Sequence, residues 1–178
     1  MIKTERLILR ELMAEDAEGM FKLDANPEVH RYLGKHLIAS FEQAKEVIEF
    51  VRKQYISNGI GRYAMLRKTD LEFIGWCGLK LNTEVCNGFQ NYYDLGYRLR
   101  QEFWQQGYAS EAAGYWRDYA YDTLNLESLY AAAHVDNSAS NKILGKLGFE
   151  KKNNFYYENE LNTWYELSKS KYRFLQKP

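Results

Sequence analysis

The chain has 178 residues, with 24 basic and 24 acidic side chains and no formal net charge at neutral pH. This length suffices for one domain with a full core, and the balanced charge excludes bulk attraction to nucleic acid or to an anionic membrane as the basis of function. The two cysteines favour reduced buried thiols over a disulfide or a metal pair, and two prolines with no Ser/Gly-rich run indicate no linker. There is no basic-then-apolar leader and no long apolar run, which predicts a cytoplasmic protein without membrane association.

Hydrophobic periodicity predicts a chain in which strands alternate with helices. Period-two alternation and short apolar runs predict strands over 7–11, 61–67, 73–81, 93–99, 128–135, 151–157 and 163–170. The 3.6-residue apolar period predicts helices over 14–26, 41–58, 109–124 and 138–147, and a shorter helix over 27–33. This order of elements predicts a mixed sheet with helices on both faces.

Local signals support several of these boundaries. Ser40 with Gln43 forms a capping box before the helix over 41–58, and Gly59 ends that helix. Pro27 suits the first position of the short helix that follows it. The strands over 61–67 and 73–81 flank a short turn, which predicts an antiparallel hairpin.

A glycine-centred turn joins the strand over 93–99 to the next helix. A loop that enters a helix in this way directs several unpaired backbone N–H groups toward one point, at the positive end of the helix dipole. Such a point binds anions, most often phosphate, and Gly107 has no side chain to block the approach. A packing turn that binds nothing is the alternative interpretation. The sequence contains neither a nucleotide P-loop nor a dinucleotide-binding fingerprint.

A second motif, NSASNKILGKLGF at residues 137–149, follows the predicted strand over 128–135. Together with WQQGYA at 104–109 and TERLILR at 4–10, it resembles the GNAT superfamily of acyl-CoA-dependent N-acetyltransferases. The pyrophosphate loop of that family has the pattern Arg or Gln, two residues, Gly, one residue, then Gly or Ala. Trp104 departs from the first position, and an aromatic residue there resembles the subgroup that acetylates the N-termini of ribosomal proteins.

The resemblance implies an α/β fold of the α+β type, in a single domain over 1–178. The expected sheet is mixed and mostly antiparallel, with about seven strands, helices on both faces and a splayed central strand pair. The first helices would roof the acceptor site. The implied co-substrate is acetyl-CoA, and no metal is implied. The residues assigned to cofactor binding are Tyr97, Arg98 and Leu99 on the central strand, Gln105, Gln106, Gly107, Tyr108, Ala109 and Ser110 in the loop, and Asn137 and Asn141 in the second motif.

Acetyl transfer needs a free amine, and because an amine is mostly ammonium at neutral pH, a base has to take its proton. Asp94 is the candidate base, since the resembling subgroup commonly has an acidic residue facing the acceptor at this place on the central strand. A salt bridge at a strand start is the alternative interpretation of Asp94. His134 on the adjacent predicted strand could tune or replace it.

The leaving thiolate takes up a proton. Many family members supply it from a tyrosine seven residues after the Asn of the second motif, and here that position is Leu144. Ser140 stands where the resembling subgroup offers a hydroxyl, and it is the candidate acid. Ser140 could instead cap the helix or bind CoA, and Asn137 and Asn141 could be turn and helix-start residues.

Two classes of function remain open at this point. The first is an enzyme that transfers an acetyl group from acetyl-CoA to a primary amine, which could belong to a protein N-terminus, an amino acid, a polyamine or an aminoglycoside. The second is a catalytically silent module that binds acyl-CoA as a sensor or as a subunit of a complex. The abundant tyrosines, the late strands and the habit of the family to form pairs suggest a homodimer.

Overall fold

Eight strands form one mixed sheet in the computed structural model, which describes residues 1–34 and 36–177. The strands are β1 (Ile2–Lys3), β2 (Leu7–Glu11), β3 (Arg62–Arg67), β4 (Phe73–Asn82), β5 (Tyr92–Leu99), β6 (Ser128–His134), β7 (Glu150–Tyr157) and β8 (Glu160–Ser168). The helices are α1 (Ala17–Asp24), α2 (Phe41–Asn58), α3 (Tyr108–Asp122), α4 (Ser138–Lys146) and α5 (Lys169–Leu175), with 3₁₀ turns at Ala14–Asp16 and Gln101–Phe103. The expected α+β fold with a mostly antiparallel mixed sheet is confirmed.

The centre of the sheet is splayed. The strand order is β1-β2-β3-β4-β5-β6-β8-β7, and β5 and β6 are the parallel neighbours in it. β5 pairs with β4 along its whole length, whereas its pairing with β6 is limited, within the described residues, to Asp94 opposite Tyr130. Beyond that pair the rest of β5 and of β6 run on without pairing to each other, so the expected splayed central strand pair is confirmed.

The sheet buries a hydrophobic core on each face. On one face Leu95 of β5 packs in a cluster with Ala112 and Trp116 of α3 and with Leu144 of α4. On the other face α1 and α2 contribute the second cluster, which includes Ile48. Side chains of a strand alternate between the faces. Tyr97 therefore points to the α3 and α4 face with Leu95, and Asp94 and Arg98 point to the face of α1 and α2.

The ends of α2 follow the signals in the sequence, with one difference. The hydroxyl of Ser40 accepts a hydrogen bond from the backbone N–H of Gln43 at 3.3 Å, and Gly59 takes the left-handed conformation at the carboxyl end with φ of 69°. The side chain of Gln43 accepts from the backbone N–H of Ala39 at 2.6 Å, one residue before the donor of a standard capping box.

The predicted short helix over 27–33 is wrong. The structure has a series of turns at 27–34, here named the roof turn. The side chain of Asn26 accepts from the backbone N–H of Glu28 at 2.9 Å, a local bond that competes with helix formation. The turns are closed by bonds such as Leu33 N–H to the carbonyl of His30 at 3.1 Å. Seven residues also give few helical bonds for the cost of nucleation.

Two elements at the chain ends differ from the prediction. β1 is a two-residue strand that pairs antiparallel with β2. The last strand ends at Ser168 and is followed by α5, where the prediction continued the strand to residue 170. The hydroxyl of Ser168 accepts from the backbone N–H of Lys171 at 3.3 Å, and this cap starts the helix. Among the described residues, every helix is too short or too polar to cross a bilayer.

Candidate active site

The loop before α3 has the geometry of an anion site. Gly107 is the N-cap residue of α3 with φ of 84°, and its position carries no side-chain cap. Gln105, two residues earlier, also lies in the left-handed region with φ of 58°. The first-turn N–H groups of α3 are therefore left for another partner. The structure brings the predicted loop residues together at the start of this helix.

A basic side chain that the loop pattern did not predict lies against this loop. Arg6 donates to the backbone carbonyl of Gln106 at 2.8 Å and to the carboxylate of Glu111 at 2.8 Å. Its guanidinium carbon lies 4.6 Å from the centre of the Tyr108 ring. The signal in the sequence was the TERLILR motif, whose third residue is this arginine. Because the guanidinium is paired with Glu111 of the first turn, the two charges largely offset each other at the start of α3.

Glu111 holds Arg6 in place. Burial opposes ionisation of Glu111, but hydrogen bonds from the Thr4 hydroxyl and from the backbone and side chain of Arg6 hold the pKa of its carboxyl below the usual value. The Thr4 hydroxyl lies 2.5 Å from this carboxylate. The segment before β2 is thereby fixed to the first turn of α3.

Trp104 contacts the last residue of β5, one of the two splayed strands. Its indole N–H donates to the backbone carbonyl of Leu99, the last residue of β5, at 2.8 Å. The bond ties the loop to the strand end where β5 has left β6. The aromatic residue at this position therefore has a structural contact of its own.

Asp94 lies at the vertex of the splay, in a salt bridge. Its carboxylate accepts from Arg62 at 2.7 Å and from the Asn82 amide at 2.8 Å. Arg62 also donates to the backbone carbonyl of Asp94 at 3.0 Å. The alternative interpretation of Asp94 as an ion-pair residue is thus present in the structure, and the role of this carboxylate as a base stays a prediction.

Ser140 meets a tyrosine of the central strand. The Tyr97 hydroxyl lies 2.9 Å from the Ser140 hydroxyl and 3.3 Å from the Ser140 carbonyl oxygen. Burial raises the pKa of the Tyr97 hydroxyl, so it stays protonated at neutral pH. Leu144, where many relatives have a tyrosine, is 1% exposed in the core. The sequence named Tyr97 as a cofactor-binding residue and did not predict its contact with Ser140.

The two asparagines of the second motif hold the start of α4. The Asn137 side chain accepts from the backbone N–H of Ser140 at 3.1 Å, which caps the helix. The Asn141 amide donates to the carbonyls of His134 and Val135 at 3.1 and 3.2 Å and accepts from the Tyr165 hydroxyl at 2.6 Å. These contacts match the helix-start interpretation, and binding of the cofactor by either side chain stays a prediction.

His134 has its own set of partners at the end of β6. Its ring stacks on Tyr32 with the centroids 5.2 Å apart. Its Nε2 atom lies 3.2 Å from the Glu160 carboxylate, and its Nδ1 atom accepts from the backbone N–H of Asp136 at 3.1 Å. The structure therefore ties His134 to the roof turn and to β8.

A cavity of about 420 Å³, here named the roof cavity, lies over the splayed end of the sheet. Its walls come from the end of α1, the roof turn, α2, Arg98 of β5 and the β7–β8 hairpin. Asn162 of β8 also lines it and pairs with His134 at the end of β6. The cavity thus spans the gap between the separated ends of β5 and β6. Sequence reasoning predicted a roof but not these wall residues.

A buried charged cluster lies in the wall of the roof cavity. Asp24 accepts from Arg98 at 2.7 Å and lies 3.4 Å from Nε2 of His30. Burial opposes ionisation, but the hydrogen bonds from His30 and Arg98 hold the pKa of the Asp24 carboxyl below its usual value. Among the described residues, no group of three or more His, Cys, Asp or Glu side chains is arranged to hold a metal ion.

Comparisons with known proteins agree with this geometry. A family model described as the acetyltransferase (GNAT) domain matches residues 6–150. The chain is 33% identical over 150 residues to the uncharacterized N-acetyltransferase YoaA of Bacillus subtilis, covering 84% of this chain and 82% of that protein. It is 32% identical over 148 residues to the uncharacterized N-acetyltransferase p20 of Bacillus licheniformis, covering 83% and 81% of the two chains.

Solved structures share the fold at low sequence identity. A ribosomal-protein-S5-alanine acetyltransferase from Vibrio fischeri has a TM-score of 0.78 and 20% identity, covering 99% of this chain and 98% of that one. A spermidine N-acetyltransferase from Vibrio cholerae, in complex with CoA and spermine, has a TM-score of 0.75 and 20% identity, covering 94% and 98%. At this sequence identity, the structural similarities show the fold alone. The family match carries more: the chain belongs to the GNAT acetyltransferases, which transfer the acetyl group of acetyl-CoA to an amine.

Proposed function

We propose that the chain transfers the acetyl group of acetyl-CoA to a primary amine by direct attack in a ternary complex. The observation that carries the proposal is the uncapped start of α3 beside the splayed pair of β5 and β6. The first offers N–H donors to a pyrophosphate, and the second offers strand amides near Arg98 and Leu99 to the pantetheine and the thioester carbonyl. One domain over 1–178 supplies both.

The proposed cofactor contacts divide between the backbone and side chains. Residues 105–110 hold the pyrophosphate by backbone N–H groups, with the Ser110 hydroxyl as a further donor. Arg6 supports this assignment because its guanidinium lies against the Gln106 carbonyl at the same loop. Tyr97, Asn137 and Asn141 complete the predicted contacts.

The proposed reaction exchanges one bond for another. The amine nitrogen attacks the thioester carbonyl carbon, an N–C bond forms, and the C–S bond breaks to release CoA thiolate. The proton of the amine goes to Asp94, directly or through water, and the thiolate takes a proton from water or from Ser140, whose hydroxyl is restored by a proton from water. A CoA thiol resembles a free thiol of pKa about 8.5, so its anion is a fair leaving group at neutral pH.

Tyr97 supports a role for Ser140 as the proton donor. When the Tyr97 hydroxyl donates to Ser140, the hydrogen of the Ser140 hydroxyl is free to point elsewhere. In this arrangement Tyr97 is a positioning residue and Ser140 donates toward the leaving sulfur. Because the thiolate leaves readily, we expect this assistance to lower the barrier only slightly.

Ser140→Ala is expected to lower turnover about tenfold or less, since protonation of the thiolate is not the main barrier. Tyr97→Phe, which leaves the Ser140 hydroxyl without its partner, is expected to act in the same direction and no more strongly. Ser138→Ala removes an exposed hydroxyl from the same helix and serves as the matched control. Steady-state turnover with one good acceptor, alongside CoA affinity, measures all three variants.

Leu144→Tyr is expected to give no large gain in turnover. The side chain of Leu144 is buried in the core, so a tyrosine there overpacks the cluster around α4.

A loss of turnover above about 10³-fold for Ser140→Ala with unchanged CoA affinity would contradict the expectation that protonation of the thiolate is a minor barrier, and it would make Ser140 essential to the chemistry.

A thiol-release assay across a panel of amines tests the proposed function. The panel contains a peptide with a free N-terminus, an amino acid, a polyamine and an aminoglycoside, each with acetyl-CoA. Acetyl transfer to at least one amine, above the rate of acetyl-CoA hydrolysis, supports the enzyme. Tight CoA binding by calorimetry with no transfer to any amine would instead identify a silent acyl-CoA-binding module.

We also propose that the protein is a homodimer. β7 is an edge strand of the sheet, and its Tyr156 side chain is 74% exposed. An exposed edge strand with aromatic residues suits pairing with a second copy. Light scattering at micromolar protein is expected to give about twice the 21.0 kDa mass of the chain. A single species at the chain mass would refute the dimer.

A further inference from the structure

The described residues that line the roof cavity carry more negative than positive permanent charge. Among the described residues in its wall, three have carboxylates, Asp24, Glu158 and Glu160, and one has a guanidinium, Arg98. Asp24 and Arg98 bond to each other at 2.7 Å, so their charges offset. Glu158 and Glu160 therefore give the described wall residues a net negative charge. Each of the two carboxylates lies next to a histidine.

Each of the two glutamates contacts a histidine and is also partly exposed to solvent. Glu158 lies 2.9 Å from Nε2 of His36, and Glu160 lies 3.2 Å from Nε2 of His134. Their side chains are 50% and 37% exposed. An ammonium group forms a charge-assisted hydrogen bond with a carboxylate. A cation that enters the cavity can therefore compete for both carboxylates.

The hairpin turn fixes where these carboxylates lie. Glu158 and Asn159 form the two-residue turn between β7 and β8, with φ of 49° and 65°. Two consecutive residues in the left-handed region are typical of a tight hairpin turn, which matches the twist of the strands. Glu158 and Glu160 thus sit at one end of the β7–β8 hairpin and line the cavity together with the roof turn.

The opposite wall contains two buried nitrogen atoms that have no hydrogen-bond partner among the described residues. His30 is 3% exposed and lines the cavity, and its Nδ1 atom has no hydrogen-bond partner in the part of the chain that the structure describes. Nε of Arg98, also in the wall, is buried and likewise has no partner among the described residues. Both atoms are covered by the surrounding protein, so they belong to the packing of the wall and are not exposed to the cavity.

We propose that the roof cavity is the acceptor site and that it selects a primary amine carrying a second positive charge, as in a diamine or polyamine. The inference rests on the proposed acetyl transfer. The second ammonium binds Glu158 and Glu160, and the reacting amine extends toward the gap between β5 and β6. A carboxylate on the acceptor, as in an amino acid, meets the same two glutamates and is repelled.

Three acceptors of matched length test the charge requirement: 1,4-diaminobutane, butylamine and 4-aminobutanoate, whose far ends are positive, neutral and negative. We expect kcat/KM from thiol release to fall by about tenfold or more from the first to the second and further to the third. Glu158→Gln and Glu160→Gln are expected to lower the value for 1,4-diaminobutane by about fivefold or more and for butylamine by less than about twofold. Glu46→Gln, on the exposed face of α2, is the matched control.

Calorimetry separates a failure of this inference from a failure of the proposed function. Titration of 1,4-diaminobutane into CoA-bound protein needs no turnover, and we expect binding that both glutamate variants weaken. Equal kcat/KM for the three acceptors, or a preference for butylamine, would overturn the charge requirement while acetyl transfer stands. If no amine is acetylated, the proposed function fails, and binding of the diamine that does not depend on the glutamates overturns the inference on its own.

Discussion

Replacing Gly107 with glutamate is expected to weaken CoA binding by several kcal/mol, which corresponds to roughly 10²- to 10³-fold or more in affinity. Gly107 has φ of 84°, a conformation that costs any other residue energy. A Cβ atom there would lie 3.1 Å from the guanidinium of Arg6. The carboxylate would place negative charge where the proposed pyrophosphate binds, and the two anions would repel each other.

Strain alone has to be separated from the loss of the anion site. Gly59 also has a positive φ, 69°, and a Cβ there would meet no described atom within 4 Å. Gly59→Glu therefore carries a similar conformational cost far from the loop and is the matched control. Calorimetry of CoA binding and thermal unfolding measure both variants. Unchanged CoA affinity in a folded Gly107→Glu protein would contradict the assignment of the loop.

Local sequence signals predicted the elements whose ends depend on near neighbours. The α2 cap at Ser40 and its end at Gly59 were predicted because the partners lie within four residues of each other. The turn before α3 was predicted because a glycine is needed at a left-handed position. The splay of β5 from β6 came from the family resemblance, since no short-range pattern encodes where two strands stop pairing.

The roof turn shows why the remaining elements were harder. Apolar spacing and Pro27 favoured a helix over 27–33, but the segment is fixed by contacts outside itself. His30 meets Asp24 of α1, and Tyr32 stacks on His134 of β6. Asp24 belongs to the preceding helix and His134 to a strand far along the chain, so a periodic pattern within the seven residues does not reveal either partner.

In the candidate site, too, the residues in local motifs were predicted and the long-range ion pairs were not. The loop over 105–110 and Ser140 were predicted from motifs, which carry the backbone conformation with them. Arg62, which binds Asp94, and Arg98, which binds Asp24, were not identified as ion-pair residues. An arginine can reach many carboxylates in three dimensions, and only the register of β3, β4 and β5 decides which one it meets.

Asp94→Asn is expected to lower turnover by roughly 10²-fold or more while CoA affinity stays nearly unchanged. The substitution keeps the size of the side chain and an oxygen that can accept from Arg62, but an amide takes no proton from the attacking amine. Steady-state kinetics with one good acceptor over a range of pH, with calorimetry of CoA binding, measures the effect. We expect the loss to shrink for an acceptor of low amine pKa, because such an amine is already free of its proton.

Arg62 provides the control that distinguishes a base from an ion-pair residue. If Asp94 serves only to bind Arg62, then Arg62→Met removes the same contact and reproduces the loss of turnover. If Asp94 is the base, Arg62→Met keeps the carboxylate, and its turnover stays well above that of Asp94→Asn even though the protein unfolds at lower temperature. The ion pair is largely buried, with 12% and 24% of the two side chains exposed, so its removal leaves a carboxylate without a charged partner and does destabilise the fold. Wild-type turnover of Asp94→Asn at all pH values would exclude the role of this carboxylate in proton transfer and leave water or His134 as the base.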